Sequence, residues 1–352
     1  MRLIRSVYVV RALAVMLGLG VSLSAIPAAE GAQRRSSKKS SATRTSITAR
    51  KAVYSPTASK TRRARLARAR ATARAREQAR LRSLQEAMTP RYKTDASGAI
   101  VPDIRAAAAI IFNPETGQVL WEENAQDKRS IASITKVMTA VVFLEDQPDL
   151  SQEITIERSD VYAASTTYLR ANERITLDNV LHLTLIASDN GAARALARVS
   201  HGGTASFVER MNEKAIELGL ESTSFADPSG LNPSNISSAY DLSRLITFAS
   251  GNEQIAPIMR TAQYSFRTSR RTVNIHNTNR LVLGGEVDVM GGKTGFITKA
   301  GYCLATLLRL PQGNQVAVVV LGASSNTGRF WETRHLANWL SDKAGDIFRK
   351  QE

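Results

Sequence analysis

Apolar and polar positions divide the chain into stretches of different character. Ala12 to Ile26 is an apolar run. From 32 to about 61 large apolar residues almost vanish among Ser, Thr, Lys and Arg, so this stretch cannot bury enough surface to fold. Residues 62–88 are rich in Ala and Arg, with no Gly or Pro, which predicts helix. Arginine falls all round that helix, so it has no apolar face and reads as a frayed, solvated spacer. Folded structure is expected from near Ala96. The apolar run Ala106 to Asn113, the turn Pro114-Glu-Thr-Gly117 and Val119-Leu-Trp121 read as a hairpin. From Ser133 the period becomes helical, with Ile134, Val137, Met138, Val141 and Val142 on one face. Leu177 to Ala187 and Ala192 to Val199 are helical too, broken by Ser188-Asp-Asn-Gly191. Phe207 to Leu218 is another helix, ending at Gly219. Asp227-Pro-Ser-Gly230 signals a turn, and Ser238-x-x-Asp241 resembles a capping box before a further helix. Strands are predicted at Val287 to Met290, Tyr302 to Leu308 and Val316 to Leu321. A closing helix follows from about Thr327 to Lys350, with Trp331, Leu336, Trp339 and Leu340 spaced to pack inward. Strands at both ends with helices between predict an α+β fold whose terminal strands share one antiparallel sheet.

Charge changes the reading of the tail. From Arg34 to Arg82 there are 17 Lys+Arg and one acid, Glu77, a net +16 that equals the formal charge of the whole chain. From Ser83 onward there are 27 Lys+Arg against 29 Asp+Glu. The basic balance therefore belongs to a tail, and a nucleic-acid-binding fold is not implied. The tail offers a contact to anionic envelope polymers or lipid surfaces; a plain soluble linker is the alternative. Arg2, Arg5 and Arg11, the apolar run, and the small residues Ala28, Ala29 and Gly31 read as an export signal. The expected organisation is a signal peptide over 1–31, a basic disordered or partly helical linker over 32–95, and a catalytic domain over 96–352. The destination is the periplasm or cell envelope. Cys303 is the sole cysteine and lies in a strand-like apolar run, so it reads as a buried small residue.

Three short motifs carry chemistry. Ser133-Ile-Thr-Lys136 opens a helix, Ser188-Asp-Asn190 lies between helices, and Lys293-Thr-Gly295 lies on or beside a strand. Each alone is weak: Ser36-Ser-Lys-Lys39 and Ser324-Ser-Asn326 match two of the patterns elsewhere. Their order, their elements and their separations make the set informative. A serine hydroxyl needs a base to become a nucleophile. Residues i and i+3 of a helix lie side by side, so Lys136 reaches Ser133. A lysine acts as base when neutral, which desolvation and a second cation such as Lys293 both favour. Ser133 at a helix start places the positive end of the helix dipole near a developing oxyanion. Its own N–H and a strand N–H near Phe296 are the candidate donors. Ser188 is placed to relay a proton to the leaving amine, Asn190 to hold a substrate amide, and Lys293 and Thr294 to bind a carboxylate. Gly292 and Gly295 leave room beside the strand. Met290-Gly-Gly-Lys-Thr-Gly295 lacks phosphate-loop spacing. None of His182, His201, His276 and His335 sits in a serine-elbow or metal-ligand pattern, so neither a histidine triad nor a metal or other cofactor is implied.

Together these motifs resemble the penicillin-recognising serine D,D-peptidases and the related serine β-lactamases. More narrowly, the chain is similar to low-molecular-weight penicillin-binding proteins of the D-alanyl-D-alanine carboxypeptidase and endopeptidase group. Phe225-Ala-Asp-Pro-Ser-Gly-Leu231, Asn235, Ser238-Ala-Tyr-Asp-Leu242, Gly292-Lys-Thr-Gly-Phe296 and Ala300-Gly-Tyr-Cys303 carry that likeness. The resemblance implies a D,D-peptidase fold, an antiparallel sheet flanked by helices with an all-helical subdomain. It implies a substrate site including Asn190, Lys293, Thr294, Gly295 and Phe296. It further implies an acyl-enzyme on Ser133, peptidoglycan stem peptides as substrate and β-lactams as covalent inhibitors. Only 57 residues follow Gly295, which favours the endopeptidases over carboxypeptidases with an added C-terminal domain. Asp189 in the second motif resembles class A β-lactamases. Their deacylating Glu-x-x-x-Asn segment is not found between Asn190 and Lys293. A β-lactamase and a catalytically idle peptidoglycan-binding protein are the alternatives.

Overall fold

A computed structural model describes residues 56–285 and 287–347. The chain divides into two units, Met1–Arg63 and Ala64–Glu352. All described elements belong to the second unit, apart from the first residues of one helix. The expected signal peptide and the tail up to residue 55 lie outside the described residues.

Helix α1 (Pro56–Met88) is the arginine-rich segment, exposed on every face from Arg63 to Arg82. A short hairpin follows, β1 (Tyr92–Thr94) with β2 (Ile100–Pro102), so regular pairing begins slightly ahead of Ala96. Strands β3 (Ala108–Phe112) and β4 (Val119–Glu123) form the predicted hairpin. Strand β5 (Arg129–Ser130) leads into a 3-10 turn, Ala132–Ile134, and helix α2 (Thr135–Glu145). Next come β6 (Glu153–Thr155), α3 (Arg158–Val161) and β7 (Arg174–Thr176). Helices α4 (Leu177–Leu185), α5 (Asn190–Val199) and α6 (Gly203–Glu217) succeed one another. After β8 (Ile236–Ser237) come α7 (Ala239–Ser250) and α8 (Ile255–Arg260). The chain closes through β9 (Gln263–Arg267), β10 (Thr272–His276), α9 (Leu281–Gly284), β11 (Asp288–Ile297), β12 (Gly301–Arg309), β13 (Gln315–Ala323) and α10 (Asn326–Ile347).

The main sheet has the order β11-β12-β13-β3-β4, antiparallel throughout. The amino-terminal hairpin thus docks on three carboxy-terminal strands, with Ala317 opposite Phe112 and Val319 opposite Ile110. Successive residues of a strand face opposite sides. Ala108, Ile110 and Phe112 therefore enter the core with Val137, Met138, Leu242 and Ile246 of α2 and α7. Ala109 and Ile111 enter a second core with Phe330, Leu336 and Trp339 of α10. A sheet buried on both faces explains why β3, β12 and β13 are continuous apolar runs without alternation.

Helix starts follow their caps. The Ser238 hydroxyl accepts from the Asp241 N–H at 3.0 Å at the start of α7. The Asp189 carboxylate accepts from the Ala192 N–H at 2.9 Å at the start of α5. The helical part is not free of strands. It carries the pairs β6–β7 and β9–β10, the latter with Thr272 opposite Arg267. Helical periodicity does not reveal these pairs, because their short runs alternate with period two, as in Thr272-Val-Asn-Ile-His276, where Val273 and Ile275 are buried.

Candidate active site

Ser133 lies in the 3-10 turn that precedes α2, and Lys136 in the first turn of α2 itself. The Lys136 Nζ donates to the Ser133 hydroxyl at 2.9 Å, to Asn190 Oδ1 at 2.6 Å and to the Ser229 carbonyl at 2.5 Å. Lys136 is fully buried, and that burial lowers its pKa to about 7, against the opposing pull of Asp189 and Asp227. The partners then dictate direction. Asn190 Oδ1 and the Ser229 carbonyl only accept hydrogen bonds. A neutral amine has two N–H groups and one lone pair. With both N–H groups held by these acceptors, the lone pair is left for the Ser133 hydroxyl. The site is arranged so that the neutral lysine is already a base aimed at its nucleophile.

The Ser229 carbonyl is held by the turn predicted at Asp227-Pro-Ser-Gly230. Asp227 Oδ1 accepts from the Gly230 and Asn232 N–H groups at 3.0 and 3.2 Å. Buried Asn235 donates to Thr135 Oγ1 of α2 at 2.9 Å and to the Asp227 carbonyl at 2.8 Å. Gly230 has φ of 82°, and a Cβ there would lie 2.1 Å from the Ala132 carbonyl oxygen. The turn is thereby pressed against the backbone of the nucleophile, a contact open to glycine alone.

Ser188 sits in the break between α4 and α5, where the sequence predicts one, and Asn190 is the first residue of α5. Ser188 takes φ of 58°, a conformation that costs a non-glycine residue energy and recurs at functional sites. Asp189, fully buried, accepts from the Tyr168 N–H at 2.5 Å and fixes the break. Burial raises its pKa while these N–H donors and Lys136 oppose the rise. The Asn190 amide is committed on both sides, to Lys136 and through Nδ2 to the Ala164 carbonyl at 2.8 Å. That makes it first a clamp on the lysine, although the residue also lines the cavity.

Strand β11 runs as one element from Asp288 to Ile297, so Lys293-Thr-Gly295 lies within it, not beside it. It lies hard against the nucleophile turn: a Cβ on Gly295 would be 2.6 Å from the Ile131 carbonyl oxygen. Lys293 is buried and donates to the Ser188 hydroxyl at 2.6 Å. Desolvation first, then Lys136 and Arg329, hold its pKa well below that of an ordinary lysine. Thr294 hydrogen-bonds Thr278 through their hydroxyls at 2.7 Å. Phe296 is half exposed and stacks on Tyr302, with ring centroids 4.2 Å apart.

These residues line a cavity of about 450 Å³ that brings together Ser133, Ser188, Asn190, Thr294, Gly295 and Phe296. Lys136 and Lys293 lie beneath its wall, bonded to the two serines. Arg329 of α10 also lines it. This buried arginine donates to the Gly295 and Cys303 carbonyls at 2.9 and 3.1 Å. Its pKa, lowered to about 10 by burial, leaves it charged at neutral pH. Sequence reasoning assigns no role to Asp189, although it lies inside the second motif, or to Ser229, although it lies in the Asp227-Pro-Ser-Gly230 turn. It does not single out Arg329 or Thr278, and the turn signal marks a turn, not a partner for Lys136. Among the described residues, no group of three or more His, Cys, Asp and Glu side chains is placed to hold a metal ion. Cys303 is buried, and burial pushes its thiol to about 11, which leaves it inert.

Comparison with known proteins agrees with this geometry. The family model described as D-alanyl-D-alanine carboxypeptidase matches residues 94–325. The chain is similar to a D-alanyl-D-alanine endopeptidase of Escherichia coli, 32% identical over 70% of this chain and 80% of that protein. A D-alanyl-D-alanine carboxypeptidase of Bacillus subtilis is 34% identical over 62% of this chain and 58% of its own length. The solved Streptomyces K15 DD-transpeptidase matches with a TM-score of 0.64 and 30% identity, covering 68% of this chain and 97% of that one. With more than half of its length matched and with that fold in common, the chain belongs to the D-alanyl-D-alanine carboxypeptidase family of serine D,D-peptidases.

Proposed function

We propose that this protein cuts D-alanyl peptide bonds of peptidoglycan stems by acyl transfer to Ser133, is trapped by β-lactams at the same atom, and favours cross-links as substrates. The observation that carries the reading is the lone pair of Lys136. Its two acceptor-only partners leave it no other target than the Ser133 hydroxyl. Neutral Lys136 takes the Ser133 proton as the oxygen attacks the scissile carbonyl. The Ser133 and Phe296 N–H groups receive the oxyanion. Lys293 donates to the Ser188 oxygen, so the Ser188 hydrogen is free to go to the leaving amine. Ser188 takes up in its place the proton that Lys136 removed from Ser133, which returns Lys136 to its neutral form. Arg329 and Thr294 add positive charge and a hydroxyl where a substrate carboxylate would sit. Water then releases the acyl group. The endopeptidase preference is supported by the E. coli relative and by similarly named relatives of Pseudomonas aeruginosa and Haemophilus influenzae.

The substrate implies work outside the cytoplasm, which agrees with the export signal read at residues 1–31. Among the described residues no helix is long and apolar enough to cross a membrane. The tail over 34–82 is proposed to hold the enzyme against anionic envelope surface. Deleting it should leave penicillin acylation intact and lower sedimentation with isolated walls; unchanged sedimentation would remove this role. The peptidase reading is tested by digesting cross-linked and uncross-linked muropeptides and weighing the products. Conversion of dimers to monomers supports it. Loss of terminal D-Ala alone removes the endopeptidase preference, and no product from either removes the peptidase.

A further inference from the structure

One wall of the cavity is formed by Ser165 and Thr166, in a loop whose Ala163 and Ser165 take positive φ. The catalytic break holds that loop by its backbone: the Asn190 N–H donates to the Thr166 carbonyl at 3.0 Å, and Asp189 receives the Tyr168 N–H. The same loop continues as Tyr168–Arg174 and locks onto the tip of the β9–β10 hairpin. Arg271 pairs with Glu173 at 2.9 Å, with Glu173 fully buried, and also donates to the Tyr168 carbonyl. The Ser269 N–H donates to the Arg174 carbonyl at 3.0 Å, and the Arg174 N–H to the Ser269 hydroxyl at 2.9 Å. Loop and hairpin tip are thus one built unit, joined to the catalytic site through Thr166 and Tyr168.

That unit is strongly basic on its outer side. Arg170, Arg267 and Arg270 are exposed, and no described carboxylate lies within ion-pair distance of their guanidinium groups. The nearby acids are already engaged. Glu173 is taken by Arg271, Glu153 by Arg174 at 3.7 Å, and Asp178 by His182 and Tyr264. Tyr168, 40% exposed, adds an aromatic side chain to the same loop, two residues after the cavity-lining Thr166 and two before Arg170. A cavity of about 450 Å³ holds only a few residues. A longer peptide extends beyond it, and the loop carrying Ser165 and Thr166 leads from its wall to Arg170.

We propose that Tyr168–Arg174 and the hairpin tip Arg267–Thr272 form an outer subsite, an arginine rim that binds free carboxylates of an anionic peptide beyond the bond cut at Ser133. Guanidinium groups suit planar carboxylates, which they can bind through two parallel hydrogen bonds. Exposed pairs are individually weak, so the rim sets substrate preference and not the chemical step. The proposal rests on the D,D-peptidase reading.

The test uses two synthetic cross-linked peptides that differ only in a free carboxylate or a primary amide distal to the scissile bond. Their affinities are measured on the full chain carrying Ser133→Ala, with and without Arg170→Gln and Arg270→Gln. The Ser133→Ala protein should prefer the carboxylate peptide by about three- to tenfold at low salt. High salt should abolish that preference. The double substitution should abolish it too, while melting temperature and, in the Ser133 background, penicillin acylation stay unchanged. If the double variant does not fold, the salt series on the parent protein decides. No preference at low salt, or one that survives high salt or the double substitution, overturns the rim. If the Ser133 enzyme cleaves neither peptide, the peptidase reading fails, and the binding comparison still decides the rim.

Discussion

Acylation of Ser133 should switch on with pH around 7, and the reason is the burial of one lysine. Lys136 titrates near 10.5 in an unfolded chain and near 7 here. The difference corresponds to roughly 5 kcal/mol of disfavoured charge. The neutral fraction, which alone can accept the Ser133 proton, is about half at pH 7, about a tenth at pH 6 and about a hundredth at pH 5. The second-order rate of acylation by a fluorescent penicillin, followed by stopped flow from pH 5 to 9, should rise tenfold per pH unit and level off above 7. Lys136→Met should lower the plateau by about 100- to 10,000-fold and abolish the acid limb. A limb centred near 10 would mean that the lysine titrates as an exposed one does. A flat profile would mean that another group takes the proton. Stability follows the same group. Between pH 7 and 10.5 the unfolded chain binds a proton that the folded chain does not, so this contribution to stability rises with pH across that window. Below 7 both states carry the proton and the whole cost stands. Any melting-temperature advantage of Lys136→Met over the parent should therefore shrink as pH rises from 7 to 10.

Single contacts govern three further outcomes. Gly230→Ala places a Cβ 2.1 Å from the Ala132 carbonyl oxygen at a φ of 82°; it should destabilise by about 2–4 kcal/mol by thermal melting and slow acylation at least tenfold. Asp189→Asn removes the foremost charge that favours protonated Lys136 and one of the two acceptors for the Tyr168 and Ala192 N–H groups. It should cost about 1–3 kcal/mol and move the acid limb below pH 7, whereas a limb that moves upward would refute the electrostatic account. Arg329→Gln removes the cation lining the cavity; it should raise KM for peptides with a terminal carboxylate about tenfold or more and affect their amides far less.

Much of this was legible in the chain itself. Helical spacing from Ile134 to Val142, the break at Ser188, the Asp-Pro-Ser-Gly turn and the cap at Ser238 are local signals. Each works over about one turn of chain, and the structure keeps each in place. The apolar runs at Tyr302 to Leu308 and Val316 to Leu321 told of strands, and the structure adds that both their faces are buried. They could not tell which strands were neighbours, and the docking of β13 on β3 is a packing outcome. The hairpin β9–β10 was not predicted, although Gln263-Tyr-Ser-Phe-Arg267 and Thr272-Val-Asn-Ile-His276 alternate polar and apolar. Alternations of five residues are too short to be told from loop without the pairing that folding supplies.

Sequence alone determined which groups were available: a serine and a lysine three residues apart, a second serine and asparagine, and a second lysine on a strand beside glycines. Tertiary structure decided what those groups are. Lys136 is a base because folding strips its water and because Ser229, 93 residues away, takes one of its N–H groups. Asn190 is a clamp because Ala164 and Lys136 use both ends of its amide. Arg329 joins the site because α10 packs against β12 and β13, which brings its guanidinium to the carbonyl of Gly295, 34 residues earlier, on the neighbouring strand β11. Hydrogen-bond direction and desolvation depend on what surrounds an atom on every side, and no short-range pattern in a chain records that.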